Sequence, residues 1–230
     1  GFEYENKDNG IMLHSTWRQN PFLDERIIKS IMELKEIDPE MYEIYSEGLI
    51  VERKEKVFRT PSLCNEIPET KNKYIGIDWG YSNDECAVVL VVNKDKELYL
   101  KELIYRKGVT NEDLIFLLKE LGIDRSYTIV GDSAEPKSIQ DLKRAGFNIR
   151  GVKKDSILYG IQKMKQYKIF VEVGSENLMN EFEGYRFKKD RSGNITNALQ
   201  GNDHLLDGVR YVVTEFLAKA ETMGKYSWMN

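Results

Sequence analysis

The pattern of apolar and polar positions changes character near residue 73. From Tyr74 onward it is dense and regular. Tyr74–Gly80 reads as a strand, Cys86–Val92 as a near-continuous apolar strand, Asn93–Glu97 as a turn and Leu98–Tyr105 as an alternating third strand. Three strands so joined form an antiparallel meander. Asn111–Leu121 has helical spacing, with Leu114, Leu117, Leu118 and Leu121 on one face. There follow a strand over Tyr127–Gly131, a helix over Pro136–Ala145 ended by Gly146, and a strand over Phe147–Val152. Helices over Ile157–Tyr167 and Ser175–Glu183 come next, then a hairpin over Arg186–Ala198 turned at Arg191–Gly193, and a long helix from Asp203 to about Ala220. A meander followed by alternating helices and strands predicts an α/β fold: a mixed sheet, antiparallel then parallel, flanked by helices.

Residues 1–73 are sparser. Gly10–Trp17 reads as a short strand broken by Asn20-Pro21, and Asp24–Lys35 has helical spacing. Pro39 can open a second helix running to about Ser46 and closed by Gly48, ahead of a short strand near Ile50 and a polar stretch ending at Lys73. This segment reads as a connector beside a main domain of residues 74–230. Because the chain opens on Gly1 rather than Met, another domain is expected upstream in the natural protein.

Composition narrows the picture. The 230 residues, 41% hydrophobic and 11% aromatic, suit one large domain with an appendage. Cys64 and Cys86 stand in no metal-knuckle or redox spacing, so a reduced, intracellular setting is the simplest reading. No apolar run reaches membrane-span length and no signal peptide is visible. The net charge of −4 argues against a dedicated DNA-binding module. It is compatible with a metal-dependent nuclease, whose carboxylates are neutralised by the cations they bind.

Three acids occupy special places. Asp78 lies in Gly76-Ile-Asp-Trp-Gly80, on the face shared by Tyr74, Gly76 and Gly80. An acid inside an apolar first strand is costly without a partner, and the two glycines leave room for an ion or phosphate. Asp132 ends the strand Thr128–Asp132, at the edge where open α/β sheets place ligands, although a helix cap would explain it as well. Asp207 sits early in the last helix, on a polar side with Asp203, His204, Arg210 and Tyr211; taken alone, that side reads as a solvated face. His204 stands one turn before Asp207. Together, carboxylates from the first strand, the fourth strand and the last helix are what a two-metal nuclease requires, with hard ions such as magnesium or manganese as the cofactors.

At these motifs the chain resembles a known family, the C-terminal nuclease domain of the large terminase subunit of tailed double-stranded DNA bacteriophages. The likeness is carried by Ile75-Gly-Ile-Asp-Trp-Gly80, Val130-Gly-Asp-Ser-Ala-Glu-Pro136 and Asn202-Asp-His-Leu-Leu-Asp-Gly-Val-Arg-Tyr211. Lys153–Ile161, with Ser156 and Gly160, also matches, as do the upstream His14–Leu23 and Tyr42–Gly48. The resemblance implies a ribonuclease-H-like fold and cleavage of concatemeric double-stranded DNA with two divalent ions. It implies catalytic and metal-binding roles for Asp78, Asp132 and Asp207, with His204 in support. It further implies an ATPase domain in the full-length protein, the small terminase subunit and the portal as partners, and action in the cytoplasm of an infected bacterium. The chain has no Gly-x-x-x-x-Gly-Lys-Ser/Thr loop, so ATP is not expected as a cofactor of these residues.

Candidate DNA contacts are Lys153 and Lys154 before the helix over Ile157–Tyr167, and Lys188, Lys189 and Arg191 on the hairpin. Rival readings remain: an actin-like or sugar-kinase-like phosphate-transfer domain, which shares a Gly-Ile-Asp-x-Gly opening; a non-catalytic docking domain of the packaging machine; and a junction resolvase. The first would show nucleotide-dependent phosphate transfer, the second binding without cleavage, and the third a preference for branched DNA.

Overall fold

The computed structural model describes residues 3–7, 10–37, 42–43, 46–47, 55–80, 84–152 and 156–217. The chain divides into two units, Gly1–Lys54 and Glu55–Asn230. In the first, β1 (Glu3–Lys7) pairs antiparallel with β2 (Gly10–His14). The expected strand over Gly10–Trp17 stops at His14 because Thr16 and Gln19 form a reciprocal capping box around the short turn Trp17–Gln19. Helix α1 (Glu25–Ile37) follows as expected. Arg18 pairs with Glu47 at 2.6 Å and donates to the Tyr42 hydroxyl at 3.1 Å. Pro39 and Ile50, where a second helix and a strand were expected to begin, lie outside the described residues.

The second unit is built on a seven-stranded sheet. Its strands are β3 (Ser62–Cys64), β4 (Lys73–Asp78), β5 (Glu85–Lys94), β6 (Glu97–Lys107), β7 (Thr128–Gly131), β8 (Asn148–Gly151) and β9 (Lys168–Glu172), in the spatial order β3-β9-β6-β5-β4-β7-β8. The meander β4-β5-β6 is antiparallel, whereas β7 and β8 add in parallel on one side and β9 and β3 on the other. The mixed α/β architecture anticipated from the pattern is therefore present. Strands β3 and β9 were not anticipated: with three and five residues both are too short to stand out by periodicity. The helix expected to reach Tyr167 ends at Met164, which frees Lys168–Glu172 to pair between β3 and β6. With β3 in this sheet, and Val57 and Phe58 in its core, residues 55–73 of the expected connector fold with the main unit.

Two helices cover one face, α2 (Asn111–Glu120) and α3 (Pro136–Arg144). Alternation sends Ile75, Ile77, Val88 and Ile129 to that side, where they meet Leu114, Leu118 and Leu142 in an apolar layer. The other face receives α4 (Ile157–Met164), α5 (Glu176–Gly184) and α6 (His204–Val212), the last continuing as a π-helical turn over Val213–Leu217. Val89, Val91, Leu98, Leu100 and Val130 point that way, against Leu178, Phe182, Leu205 and Val209. The hairpin β10 (Arg186–Lys189) and β11 (Ile195–Gln200) separates α5 from α6. Both cysteines are free thiols, and Cys86 is buried. Among the described residues no helix is long and apolar enough to cross a membrane.

Candidate active site

Strand register brings the first two acids together. In the parallel pair β4-β7, Gly76 lies opposite Val130 and Ile77 opposite Gly131, so Asp78 and Asp132 are the next residues on adjacent strands. Neighbouring strands are about 4.8 Å apart. Alternation turns both acids toward α6, because Ile77 and Ile129 face the opposite layer.

The third acid arrives by a close backbone approach. Gly76 of β4 and Gly208 of α6 touch: a methyl group on Gly76 would overlap the carbonyl oxygen of Gly208. The room expected beside Asp78 for an ion or phosphate is therefore filled, at Gly76, by the helix backbone. That contact lays α6, which carries Asp207 next to Gly208, across β4. The three carboxylates act on one hydroxyl. The Tyr211 phenol is pushed up first by burial and then by the charges of Asp207, Asp78 and Asp132, against the opposing pull of Arg210.

Each acid has a distinct local partner. His204 Nδ1 stands 3.0 Å from Asp78 Oδ2, and its Nε2 stands 3.7 Å from Glu85 Oε2. The bond to Asp78 outweighs partial burial and raises the imidazole to about 9. Despite the one-turn spacing, His204 serves Asp78 rather than Asp207. Asp207 is gripped by Arg210, whose Nε donates to Oδ1 at 3.0 Å and Nη2 to Oδ2 at 2.6 Å, and the Tyr211 hydroxyl adds a bond to Oδ2 at 3.2 Å. Burial opposes the Arg210 charge, yet the bond to Asp207 leaves its guanidinium held more firmly protonated than usual. Asp132 accepts the Ala134 amide at 2.8 Å, an Asx turn rather than a helix cap; the cap position of α3 is Glu135.

The side of α6 that read as a solvated face is interior. Arg210 is 9% and Tyr211 5% exposed. On α4, Gly160 leaves the space that the Arg210 stem occupies, since a side chain there would collide with Cγ and Cδ. Sequence reasoning also missed Glu85, an acid at the head of an apolar strand, and Glu181, an acid between the buried Leu178 and Phe182 on α5. A charge on the apolar arc of a helix was the available signal. Glu181 is buried, which pushes its carboxyl up to about 7.

The basic residues expected at DNA are less informative. Lys153 and Lys154 lie outside the described residues. Lys188 and Arg191 are exposed on the β10-β11 hairpin, and Lys189 pairs with Glu55 at 2.5 Å. Among the described residues none of these three forms an ion pair with the aspartates. A separate cleft of about 250 Å³, between the end of β6 and α2, is lined by Arg106, Lys107 and Phe116 and holds none of the acids.

The donor set suits divalent ions. Three carboxylates supply hard oxygen ligands, and each retains acceptor capacity beyond the bonds above, since a carboxylate offers about four lone-pair sites. Among the described residues no three His, Cys, Asp or Glu side chains are already drawn into a metal cage. Like charges do not close on one another without a cation, and here His204 and Arg210 neutralise Asp78 and Asp207 instead.

Comparison with known proteins points the same way. The chain is 31% identical over 217 residues to the PBSX phage terminase large subunit of Bacillus subtilis (strain 168), covering 88% of this chain and 50% of that protein. It is 28% identical over 227 residues to the terminase large subunit of Bacillus phage SPP1, covering 92% of this chain and 53% of that protein. The chain thus spans about half the length of these curated relatives. In fold it is similar to the large terminase nuclease domain of bacteriophage SPP1 with bound Mn, with a TM-score of 0.59 at 24% identity over 70% of this chain and 98% of that one. Residues 2–49 match the family described as phage terminase large subunit. Residues 78–215, more than half the chain and the stretch that holds all three aspartates, match the terminase RNAseH like domain, and the chain belongs to that family.

Proposed function

We propose that this chain is a divalent-metal-dependent endodeoxyribonuclease that cuts concatemeric double-stranded DNA during viral genome packaging. What supports this reading is that the β4-β7 register sets Asp78 and Asp132 at adjacent strand ends, while the Gly76–Gly208 contact lays the helix that carries Asp207 against β4. The three carboxylates would hold two ions, magnesium or manganese. When bound, such ions supply an activated water and stabilise the leaving 3′ oxygen of the phosphodiester. The chain's own groups set the stage. His204, as an imidazolium, directs its Nδ1 proton at Asp78 and keeps Nε2 toward Glu85. Arg210 and Tyr211 orient Asp207 from below, and the Asx turn fixes Asp132 at the strand end. Exposed Lys188 and Arg191, with Lys153 and Lys154, are proposed contacts to phosphates, giving salt-dependent binding with little base preference.

In the full-length protein we place an ATPase domain beside this unit, with the small terminase subunit and the portal as partners, in the cytoplasm of the infected host. The test is nicking of supercoiled plasmid in manganese. The wild type is expected to cut, chelation to stop it, and Asp132→Asn to abolish it. Undiminished cutting by Asp132→Asn would sink the site assignment, and no cutting by the wild type would sink the nuclease reading.

A further inference from the structure

Helices α5 and α6 share an unusual feature. Neither is capped by its own cap residue: Ser175 and Asp203 make no side-chain bond to the first turn. In both, the amide a cap would serve, at the third helical residue, is taken by a carboxylate from elsewhere in the fold. On α5, the Leu178 amide donates to Glu102 of β6 at 3.1 Å, while Asn177 Nδ2 binds the other oxygen at 2.6 Å. On α6, the Leu206 amide donates to Glu181 of α5 at 3.0 Å. The Ser175 hydroxyl accepts the Glu102 amide at 3.0 Å, tying the start of the series to the sheet where β5 and β6 shift register. The helix held at its far end carries His204, Asp207, Arg210 and Tyr211.

We propose that Glu181 is a positioning residue for the active site: its carboxylate replaces the missing cap of α6 and so sets the placement of His204 and Asp207. Its burial is difficult to explain otherwise. The residue is 3% exposed, and besides the Leu206 amide its carboxyl meets the Tyr105 hydroxyl of β6. Leucine would fill a buried site of this size without the desolvation cost that a buried carboxylate carries. Stability alone would favour that exchange, whereas the placement of α6 would not.

The test uses this contrast, and its activity arm rests on the nuclease reading above. In Glu181→Leu the thermal midpoint should hold or rise, while nicking in manganese falls by about 10–100-fold, the usual loss for residues supporting a metal site. Glu181→Gln, which retains a carbonyl acceptor for the Leu206 amide, should nick like the wild type. The second readout is the imidazole NMR spectrum of the metal-free protein. The chain has only two histidines, His14 and His204, so the His204 signals are assignable by replacing His14. They should move far more in Glu181→Leu than in Glu181→Gln, whose direct effect on His204 is confined to the loss of the Glu181 charge. If Glu181→Leu does not fold, Glu181→Asp replaces it, because shortening by one methylene withdraws the carboxylate while keeping its charge. A folded Leu or Asp variant with unmoved His204 signals overturns the proposal, whatever its nicking rate. If the wild type does not nick, the nuclease reading fails and the His204 spectrum alone decides the role of Glu181.

Discussion

The two faces of the central sheet are built on different terms. Toward α2 and α3 the layer is apolar throughout: Ile75, Ile77, Val88 and Ile129 meet Leu114, Leu118 and Leu142. Toward α6 a larger apolar layer is interrupted by buried Arg210, Glu181 and Thr214. The first face needs only shape and apolar area, and its elements could slide slightly without consequence. The second must deliver carboxylates from three elements to one place, so it is pinned by backbone contact, ion pairing and capping. The first contributes stability alone, whereas the second adds geometric definition to an apolar layer that is larger still.

The sharpest way to break this contrast is Gly76→Ala. A methyl group there overlaps the Gly208 carbonyl, so α6 must lift from β4. The expected cost exceeds about 3 kcal/mol, the upper part of the range for overpacking. Nicking should be lost even under conditions where the variant remains folded, as read by urea unfolding alongside the plasmid assay. The mirror experiment is Leu142→Ala on the opposite face, where the side chain is fully buried. It should cost about 3 kcal/mol of stability through the cavity it leaves. Nicking at temperatures below its midpoint should match the wild type. A large loss of nicking in the folded Leu142 variant would mean that the two faces are not separable.

The smallest expected effect is the response to pH. Glu181 and His204 both bind protons more tightly in the folded chain, with values raised to about 7 and about 9. A raised group stabilises the fold while protonated in both states and loses that contribution as pH climbs through its folded value. For Glu181 the loss runs from its ordinary 4.5 to about 7, and for His204 from 6.5 to about 9. The unfolding midpoint of the metal-free protein should therefore drift down between pH 4.5 and 9. Glu181→Gln should flatten the acid part of that drift and His204→Gln the alkaline part. A midpoint that rises across the window would contradict the site's ion pairing.

How much of this was legible beforehand differs by residue. Asp78 was conspicuous because an acid within Ile75–Trp79 conflicts with its apolar surroundings. Asp132 and Asp207 were ambiguous locally, since a strand-end acid and an early-helix acid have ordinary explanations, and order along the chain carried them. Arg210 and Tyr211 were visible on the right side of α6 but read as solvent-facing, because a helical wheel shows which residues share a side and not what covers it. Glu181 was hidden by its place in a short helix of unremarkable composition.

Alternation and helical spacing by themselves determined the meander, the alternating helices and strands after it, and which side of each strand is apolar, because those depend on local periods of two and 3.6 residues. The mixed sheet and Asp78 follow from that local chemistry, whereas Asp207 rests mainly on its place in the family pattern. The tertiary structure alone decided that β9 and β3 extend the sheet, that His204 serves Asp78 while Arg210 serves Asp207, and that the glycine beside Asp78 receives a helix. Those outcomes depend on pairings between residues far apart in the chain, and no local period encodes which distant surface a side chain will meet.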